Sequence, residues 1–386
     1  MKTVRLGIIG LGNMGSGHAD KLLSGEINRC ELTAVCDPAP EKFARFPKAK
    51  GFTRSDELVR SGLVDAVLIA TPHYDHTTIG IDALQQGLHV LVEKPISVHK
   101  ADCQRLIAAH QGPKQIFAAM FNQRTDPYYQ KVRELIQHGE LGPVRRVNWI
   151  ITNWFRTEAY YKLGSWRATW AGEGGGVLLN QCPHNLDLLQ WLFGMPNRVR
   201  GFCRFGRYHD IEVEDDVTAW FEYADGATAV FIASTGEAPG TNRLEVAAEN
   251  GRLVFENDVL LFTKNQTPMT EFSRTATKAF AAPATNELKF TFPSHGGQHV
   301  EVLQNFVDAI LDSKPLIAPA TEGIHSVELA NAILFSSARN QTVDLPLDAA
   351  LYEKHLREKF PASRFKKNAP RKPGAVADDL ASSFHR

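Results

Sequence analysis

The chain has 386 residues, 43% of them hydrophobic, which exceeds one typical domain and supplies apolar side chains for two cores. Lys plus Arg and Asp plus Glu stand at 43 each, so no basic surplus points to nucleic acid or to an anionic membrane. Five cysteines (Cys30, Cys36, Cys103, Cys182, Cys203) include no C-x-x-C pair, which argues against a disulfide framework and a zinc site, and no metal is assigned.

Met1 leads almost directly into an apolar run, leaving no room for a signal peptide. No segment approaches the roughly 18 apolar residues of a membrane span, so a soluble cytoplasmic protein is expected. The run Val4, Leu6, Ile8 and Ile9 meets Gly10-Leu11-Gly12-Asn13-Met14-Gly15. A strand opening through G-x-G-x-x-G into a helix makes a cradle for a dinucleotide pyrophosphate. Gly10 permits the tight turn, Gly12 lets backbone approach phosphate, and Gly15 lets helix pack on strand. The helix N-terminus, with Asn13 and Met14, offers free N–H groups to the anion.

A second strand, Leu32–Cys36, ends in Asp37, about 20 residues on, where an acidic side chain meets the ribose hydroxyls. A carboxylate there suits NAD and repels the 2′-phosphate of NADP, although Lys42 and Arg45 lie a little further on. The alternative is that Asp37 only fastens the turn before Pro38.

Strand–helix alternation continues through Val64–Thr71, a continuously apolar strand, and Thr77–Gln86, a helix stopped by Gly87. Leu88–Val92, the helix His99–Ala109 and the strand Ile116–Phe121 complete the series. Residues 1–122 therefore read as a doubly wound α/β Rossmann domain with its ligand crevice at the carboxyl ends of the strands.

The pattern then changes. Asp126–Gln137 is an amphipathic helix, closed by Gly139 and Gly142-Pro143, and Val144–Asn153 reads as a strand. After a glycine patch at Gly174–Gly176, Leu186–Phe193 is helical, and strands are expected at Val199–Phe205, Val217–Tyr223 and Thr228–Ser234. Asp225-Gly226 and Asn250-Gly251 are hairpin turn signals. Residues 123–345 thus form an α+β domain on an open, mostly antiparallel sheet, closed by helices at Val300–Leu311 and Glu322–Asn340. Residues 346–386 read as a C-terminal extension, of which Arg364–Arg386 lacks a core-forming pattern and reads as a tail.

Four stretches carry chemistry. Ala70-Thr71-Pro72-His73, with His76 just beyond, ends the third strand on the nicotinamide side of the crevice. Glu93-Lys94-Pro95 ends the next strand, so Lys94 can point its ammonium into the cleft. The stretch Gly174-Gly175-Gly176 through Asn180, His184 and Asp187 opens a helix of the second domain, and Gly139–Val144 leads into its sheet. Together these resemble the glucose–fructose oxidoreductase / inositol dehydrogenase (Gfo/Idh/MocA) family over essentially the whole chain to about residue 345.

The resemblance implies that Lys94 and His184 are catalytic, that the Lys94–Pro95 peptide is often cis, and that the protein forms dimers or tetramers through its open sheet. One departure stands out: family members usually place an aspartate four residues before the histidine, where this chain has Asn180. A neutral amide orients the ring without stabilising an imidazolium, so His184 is expected to be a weaker base, with proton transfer leaning on Lys94 or water. Blander readings stay open: Lys94 as a surface lysine before a turn, His184 as a helix cap, Asp187 as structural rather than a group that orients His184 or binds a hydroxyl.

Candidate substrate contacts are Arg124, Trp154, Arg156, Tyr160, Tyr161, Trp166 and Arg167, joined by Asn180, His184 and Asp187. Aromatic faces suit sugar C–H surfaces and arginines suit acidic groups, although each one alone also reads as core or salt-bridge partner. Candidate cofactor contacts are Gly10, Gly12, Asn13, Met14, Gly15, Asp37, Thr71, Pro72, His76, Glu93 and Lys94. His295 and His299 read as capping residues. The expected activity is NAD-dependent hydride transfer between nicotinamide C4 and a secondary hydroxyl of a sugar or glycoside. The alternative is an NAD-dependent glycoside hydrolase that oxidises at C3, eliminates, hydrates and re-reduces, on an acidic sugar such as a glucuronide. A non-enzymatic NAD(H) sensor is a third reading, disfavoured by the presence of both Lys94 and His184.

Overall fold

A computed structural model describes residues 2–365. The N-terminal part runs β1 (Val4–Ile9), α1 (Asn13–Leu23), β2 (Cys30–Cys36), β3 (Lys50–Phe52), α2 (Ser55–Val59), β4 (Ala66–Ile69), α3 (His73–Gln85), β5 (His89–Val92), α4 (Lys100–Ala108) and β6 (Phe117–Ala119). Its six strands lie in the order β3-β2-β1-β4-β5-β6, and every pairing is parallel. β4 is buried at every position, because helices cover both faces of the sheet.

Helix α3 begins four residues earlier than the expected Thr77. Pro72 stands at its entrance with φ −56°, an angle already suited to a helix start, so the Thr-Pro-His stretch read as a turn continues into the helix. The short pair β3 and α2 carried too few apolar residues to be expected at all.

The second part comprises α5 (Pro127–Gln137), β7 (Val144–Ile151), α6 (Glu158–Tyr161), α7 (Val177–Asn180), α8 (Pro183–Phe193), β8 (Arg198–Phe205), β9 (Glu214–Glu222) and β10 (Thr228–Ser234). It continues with β11 (Asn242–Ala248), β12 (Gly251–Glu256), β13 (Val259–Asn265), α9 (Met269–Thr275), β14 (Thr285–Phe290), α10 (Gln298–Asp312), α11 (Gly323–Arg339), β15 (Val343–Asp344) and α12 (Ala349–Arg357). Its nine strands run β14-β13-β12-β11-β7-β10-β9-β8-β15, antiparallel except for the parallel pair β7–β10. Both hairpin signals hold: Asp225-Gly226 joins β9 to β10, and Asn250-Gly251 joins β11 to β12. Alternate residues of β7, β9 and β11 are buried, so one face packs on helices and the other stays half-exposed.

Two expectations change. Helix α10 does not close the nine-stranded sheet: Val302, Leu303, Phe306 and Val307 pack with Val4, Leu6 and Ile8 of β1. The chain thus returns to cover the parallel sheet, whose apolar face needs that cover. Nor is everything after residue 345 an extension, because Tyr352 and Leu356 of α12 are buried in the second core. Arg364 and Phe365 are the start of the expected tail; the rest of it lies outside the described residues. All five cysteines are free, and among the described residues no helix is long and apolar enough to cross a membrane.

Candidate active site

A cleft of about 2270 Å³ runs past the carboxyl ends of the parallel strands and on to the segment 153–172 of the second part. At one end stands the glycine turn. Gly10 has φ +95° and lies so close to β4 that a Cβ there would come 2.5 Å from the Ala70 carbonyl oxygen, so glycine is required. A Cβ on Gly15 would fall 1.8 Å from the Gly10 oxygen, which keeps helix α1 tight on its strand. A Cβ on Gly12, by contrast, would meet nothing within 4 Å, leaving that side of the turn open to an anion. The first turn of α1 carries no acidic residue. These features fit a dinucleotide pyrophosphate.

Asp37 both fastens the turn and lines the cleft. Its Oδ2 accepts from the Leu11 N–H (2.9 Å) and from Lys42 Nζ (2.7 Å), and its Oδ1 accepts from the Ala39 N–H (3.0 Å). Thr71, Pro72, Asn13 and Met14 line the same cleft. His76 lies at its edge, but Nδ1 faces the Pro95 carbonyl (2.8 Å) and Nε2 the Thr71 carbonyl (2.9 Å). Each ring nitrogen faces a carbonyl, and a neutral ring donates to one of them, so His76 is tethered to the backbone at the strand ends. The Lys94–Pro95 peptide beside it is cis.

The Glu93 carboxylate is anchored from two sides. His18 Nε2 lies 2.7 Å from Oε1, and the Lys94 N–H donates to Oε2 at 3.2 Å. Burial works against the charge, yet the His18 bond and the charges of His18, His299 and Lys94 hold its pKa down at about 2. The contribution of His18 was missed in the sequence; its only signal was a histidine on the inner face of the helix that follows the glycine turn.

Lys94 and His184 come from opposite halves and line one cleft. Lys94 Nζ donates to the Asn180 carbonyl at 2.9 Å. Burial lowers its pKa, with the positive charges of Arg167 and Arg156 adding to the effect and Glu93 and Glu173 opposing it. His184 is no cap, because α8 starts at Pro183 without any side-chain cap. Its buried Nδ1 has no partner among the described residues, and Phe121 meets the ring edge-on at 6.2 Å. Burial, followed by the charge of Lys94, pushes its pKa well below the ordinary value, so the ring is neutral.

The glycine patch explains how Asn180 and His184 are presented. A Cβ on Gly176 would stand 2.0 Å from the Glu214 carbonyl oxygen, so only glycine lets this turn press on β9. Glu214 Oε1 then accepts from the Gly176 N–H (2.8 Å) and the Leu178 N–H (3.1 Å), satisfying the start of α7. Asn180 Oδ1 accepts from the Tyr160 hydroxyl at 3.0 Å, and its amide donates to Glu173 Oε1. Glu173, absent from the expected site, is a buried carboxylate that also accepts from the Ala168 N–H at 2.5 Å.

Of the expected substrate contacts, Trp154, Arg156, Tyr160, Trp166, Arg167, Asn180 and His184 line the cleft. Arg124, Tyr161 and Asp187 do not. Arg124 Nε and NH2 form a two-pronged pair with Asp187 (2.7 and 2.6 Å), NH1 reaches Glu322 (2.5 Å), and both partners of the first pair are 1% exposed. Each neutralises the other, leaving nothing for a ligand. Tyr161 turns its hydroxyl to Thr235 Oγ1 at 2.8 Å. His73, Lys162 and His299 also line the cleft; His73 stands edge-on to Trp166 at 5.2 Å.

Comparison with known proteins accords with this arrangement. Residues 4–121 match an oxidoreductase family with an NAD-binding Rossmann fold, and residues 129–254 match the Gfo/Idh/MocA C-terminal domain. The chain is 28% identical over 198 residues to inositol 2-dehydrogenase of Corynebacterium glutamicum, covering 50% of this chain and 55% of that one, about half of the relative's length. It is 24% identical over 354 residues to myo-inositol 2-dehydrogenase of Thermotoga maritima, covering 89% of this chain and 98% of that one. Its fold resembles that of the WlbA dehydrogenase from Bordetella pertussis, solved with NADH and UDP-GlcNAcA, at a TM-score of 0.75 and 24% identity, over 90% of this chain and 100% of that one. All three are named dehydrogenases, and the glycosidase alternative finds no support in them. Matched in order by both family domains over more than half its length, the chain belongs to the Gfo/Idh/MocA oxidoreductase family and carries an NAD-binding Rossmann domain at its N-terminus.

Proposed function

We propose that the protein is an NAD-dependent dehydrogenase acting on a secondary hydroxyl of a sugar or polyol. The observation that carries this reading is the meeting of Lys94 and His184 in one cleft, a buried ammonium beside a neutral, unpartnered imidazole. The names of the inositol dehydrogenases it resembles support the same class of substrate. When bound, the nicotinamide supplies the hydride acceptor.

The chain's own residues handle the proton and the charge. An ammonium has three N–H donors, and Asn180 takes one of those on Lys94, leaving two to aim at a substrate oxygen. That contact lowers the cost of alkoxide character as the hydroxyl proton leaves. The His184 ring, neutral and bonded to no described protein group, accepts that proton. Asn180 contributes no charge here; its place is to hold Lys94 through its carbonyl and Tyr160 through its side chain.

Lys94→Ala and His184→Ala are each expected to lower kcat/KM for NAD reduction by roughly 10²–10⁴-fold across a panel of inositols, sugars and sugar acids. NADH affinity, followed by nucleotide fluorescence, should stay as in the wild type in His184→Ala and change far less than kcat/KM in Lys94→Ala. Wild-type turnover in either variant would overturn the assignment.

A further inference from the structure

We propose that the sugar taken by this site is an acid, its carboxylate held between Arg156 and Arg167 beside the catalytic lysine. The proposal deepens the dehydrogenase reading and rests on it. Segment 153–172 lines the cleft with Arg156, Lys162 and Arg167 and with no acidic side chain. Among the described residues neither Arg156 nor Arg167 pairs with a carboxylate. Arg156 NH1 donates to its neighbour's carbonyl at Phe155 (3.0 Å), and Arg167 NH1 donates to the Tyr160 hydroxyl (3.0 Å). Arg156 Nε is buried with no partner among the described residues, which is unfavourable for a donor unless a ligand acceptor meets it.

Both guanidinium groups pack against one aromatic side chain. Each lies 5.0 Å from the centre of the same Tyr160 ring. Arg156 also stands 5.4 Å from Trp154, and Arg167 4.7 Å from Trp166. The backbone is pinned as well: the Arg156 N–H donates to the Thr235 carbonyl (2.9 Å), and the Arg156 carbonyl faces His209 Nε2 (2.9 Å). His209 is held in turn through Nδ1 by the buried Asp215 at 3.0 Å.

Tyr160 connects this pair to the reaction centre, since its hydroxyl bonds Asn180 and the Asn180 carbonyl takes Lys94. Three cations therefore share one end of the cleft. Glu173, the carboxylate whose charge reaches Arg167, has one oxygen on the Ala168 N–H and the other on the Asn180 amide. A planar carboxylate fits a guanidinium pair by parallel hydrogen bonds, and the aromatic walls accept the C–H face of a pyranose. Its counter-charge would also relieve the mutual repulsion of the three cations.

Calorimetric titration of the NADH-loaded full-length protein tests this with three probes: methyl β-D-glucuronide, methyl β-D-glucoside and glucose 6-phosphate. The glucuronide is expected to bind at least about tenfold more tightly than the glucoside. Arg156→Gln and Arg167→Gln should each erase most of that preference while NADH affinity persists. Arg167→Lys, which keeps the charge and loses the fork, should retain part of it and checks that the loss is not misfolding. Equal binding of acid and neutral glycoside overturns the proposal, and so does a tighter grip on the phosphate ester than on the glucuronide. Selective binding of the acid without hydride transfer from any sugar to NAD would sustain the carboxylate site and defeat the dehydrogenase reading. Turnover of neutral polyols with no preference for acids would do the reverse.

Discussion

Asn180 occupies the position where the family usually carries an aspartate, and its neighbours show what the substitution accomplishes. Its amide donates to Glu173 while its side-chain oxygen accepts from Tyr160, so the negative charge has moved to a different residue. Burial raises the pKa of Glu173, and the Asn180 bond is among the interactions that oppose the rise. Asn180→Asp would set two buried carboxylates against each other and remove a donor. Such a change is expected to destabilise the fold by about 1–3 kcal/mol or more, read as a lower calorimetric Tm. Adding Glu173→Gln should recover most of the loss, because the amide restores a donor. A double variant no more stable than Asn180→Asp alone would show that the two side chains are not coupled. The departure at Asn180 was legible in the sequence. Its partner was not, since Glu173 read as one more residue of a glycine-rich patch and only the turn of that patch brings them together.

Among the elements, the clearest lesson comes from the pairing of Arg124 with Asp187. The short segment after β6 supplies the arginine, α8 supplies the aspartate, and Glu322 at the entrance to α11 completes the knot. An arginine near a cleft reads as an anion hook and an aspartate one turn beyond a catalytic histidine as its orienter, yet each satisfies the other in the interior. Arg124→Ala would leave Asp187 buried without a counter-charge, which is expected to cost about 3–5 kcal/mol of stability. Any KM change should be no larger than the fall in folded protein explains. A large KM effect with unchanged urea stability would return Arg124 to the substrate. Strands β11 to β14 illustrate a different limit. Their hairpin turn at Asn250-Gly251 is visible, but the alternation of charged and apolar residues on either side is too weak to mark the strands by itself.

For the whole molecule, the cleft gathers histidines that are held neutral. Burial depresses the pKa of His73, His76 and His184, and it sets that of His299 at about 4. In the unfolded chain each would titrate near 6.5, so unfolding takes up protons in mildly acidic solution. A depressed pKa gives stability that is complete above the unfolded value and is lost as pH falls toward the folded one. Each such histidine then removes about 1.4 kcal/mol per pH unit once it is protonated in the unfolded chain and still neutral in the fold. The urea midpoint should therefore drop markedly between pH 7 and about 5, the window set by these histidines. Glu93, held at about 2, stays ionised throughout that range when folded, so below about pH 4.3 it adds to the acid sensitivity. A flat midpoint from neutral to mildly acid pH would contradict the burial of these rings.

What could be read from consecutive residues was whatever backbone geometry writes locally. The glycine turn, the continuous apolar strands of a sheet covered on both faces, the acid after β2 and the lysine before Pro95 all follow from short-range steric and burial rules. Which charged groups face a ligand and which neutralise one another was settled by folding, because that depends on distances between residues far apart in the chain. Arg124 met Asp187 and fell silent, Asn180 met Glu173, and α10 travelled back to the first sheet. Among the described residues Arg156 and Arg167 form no ion pair, and both line the cleft. The reason is electrostatic: a buried charge is stable only beside its opposite, and the sequence names the charges without saying which of them the fold will bring into contact.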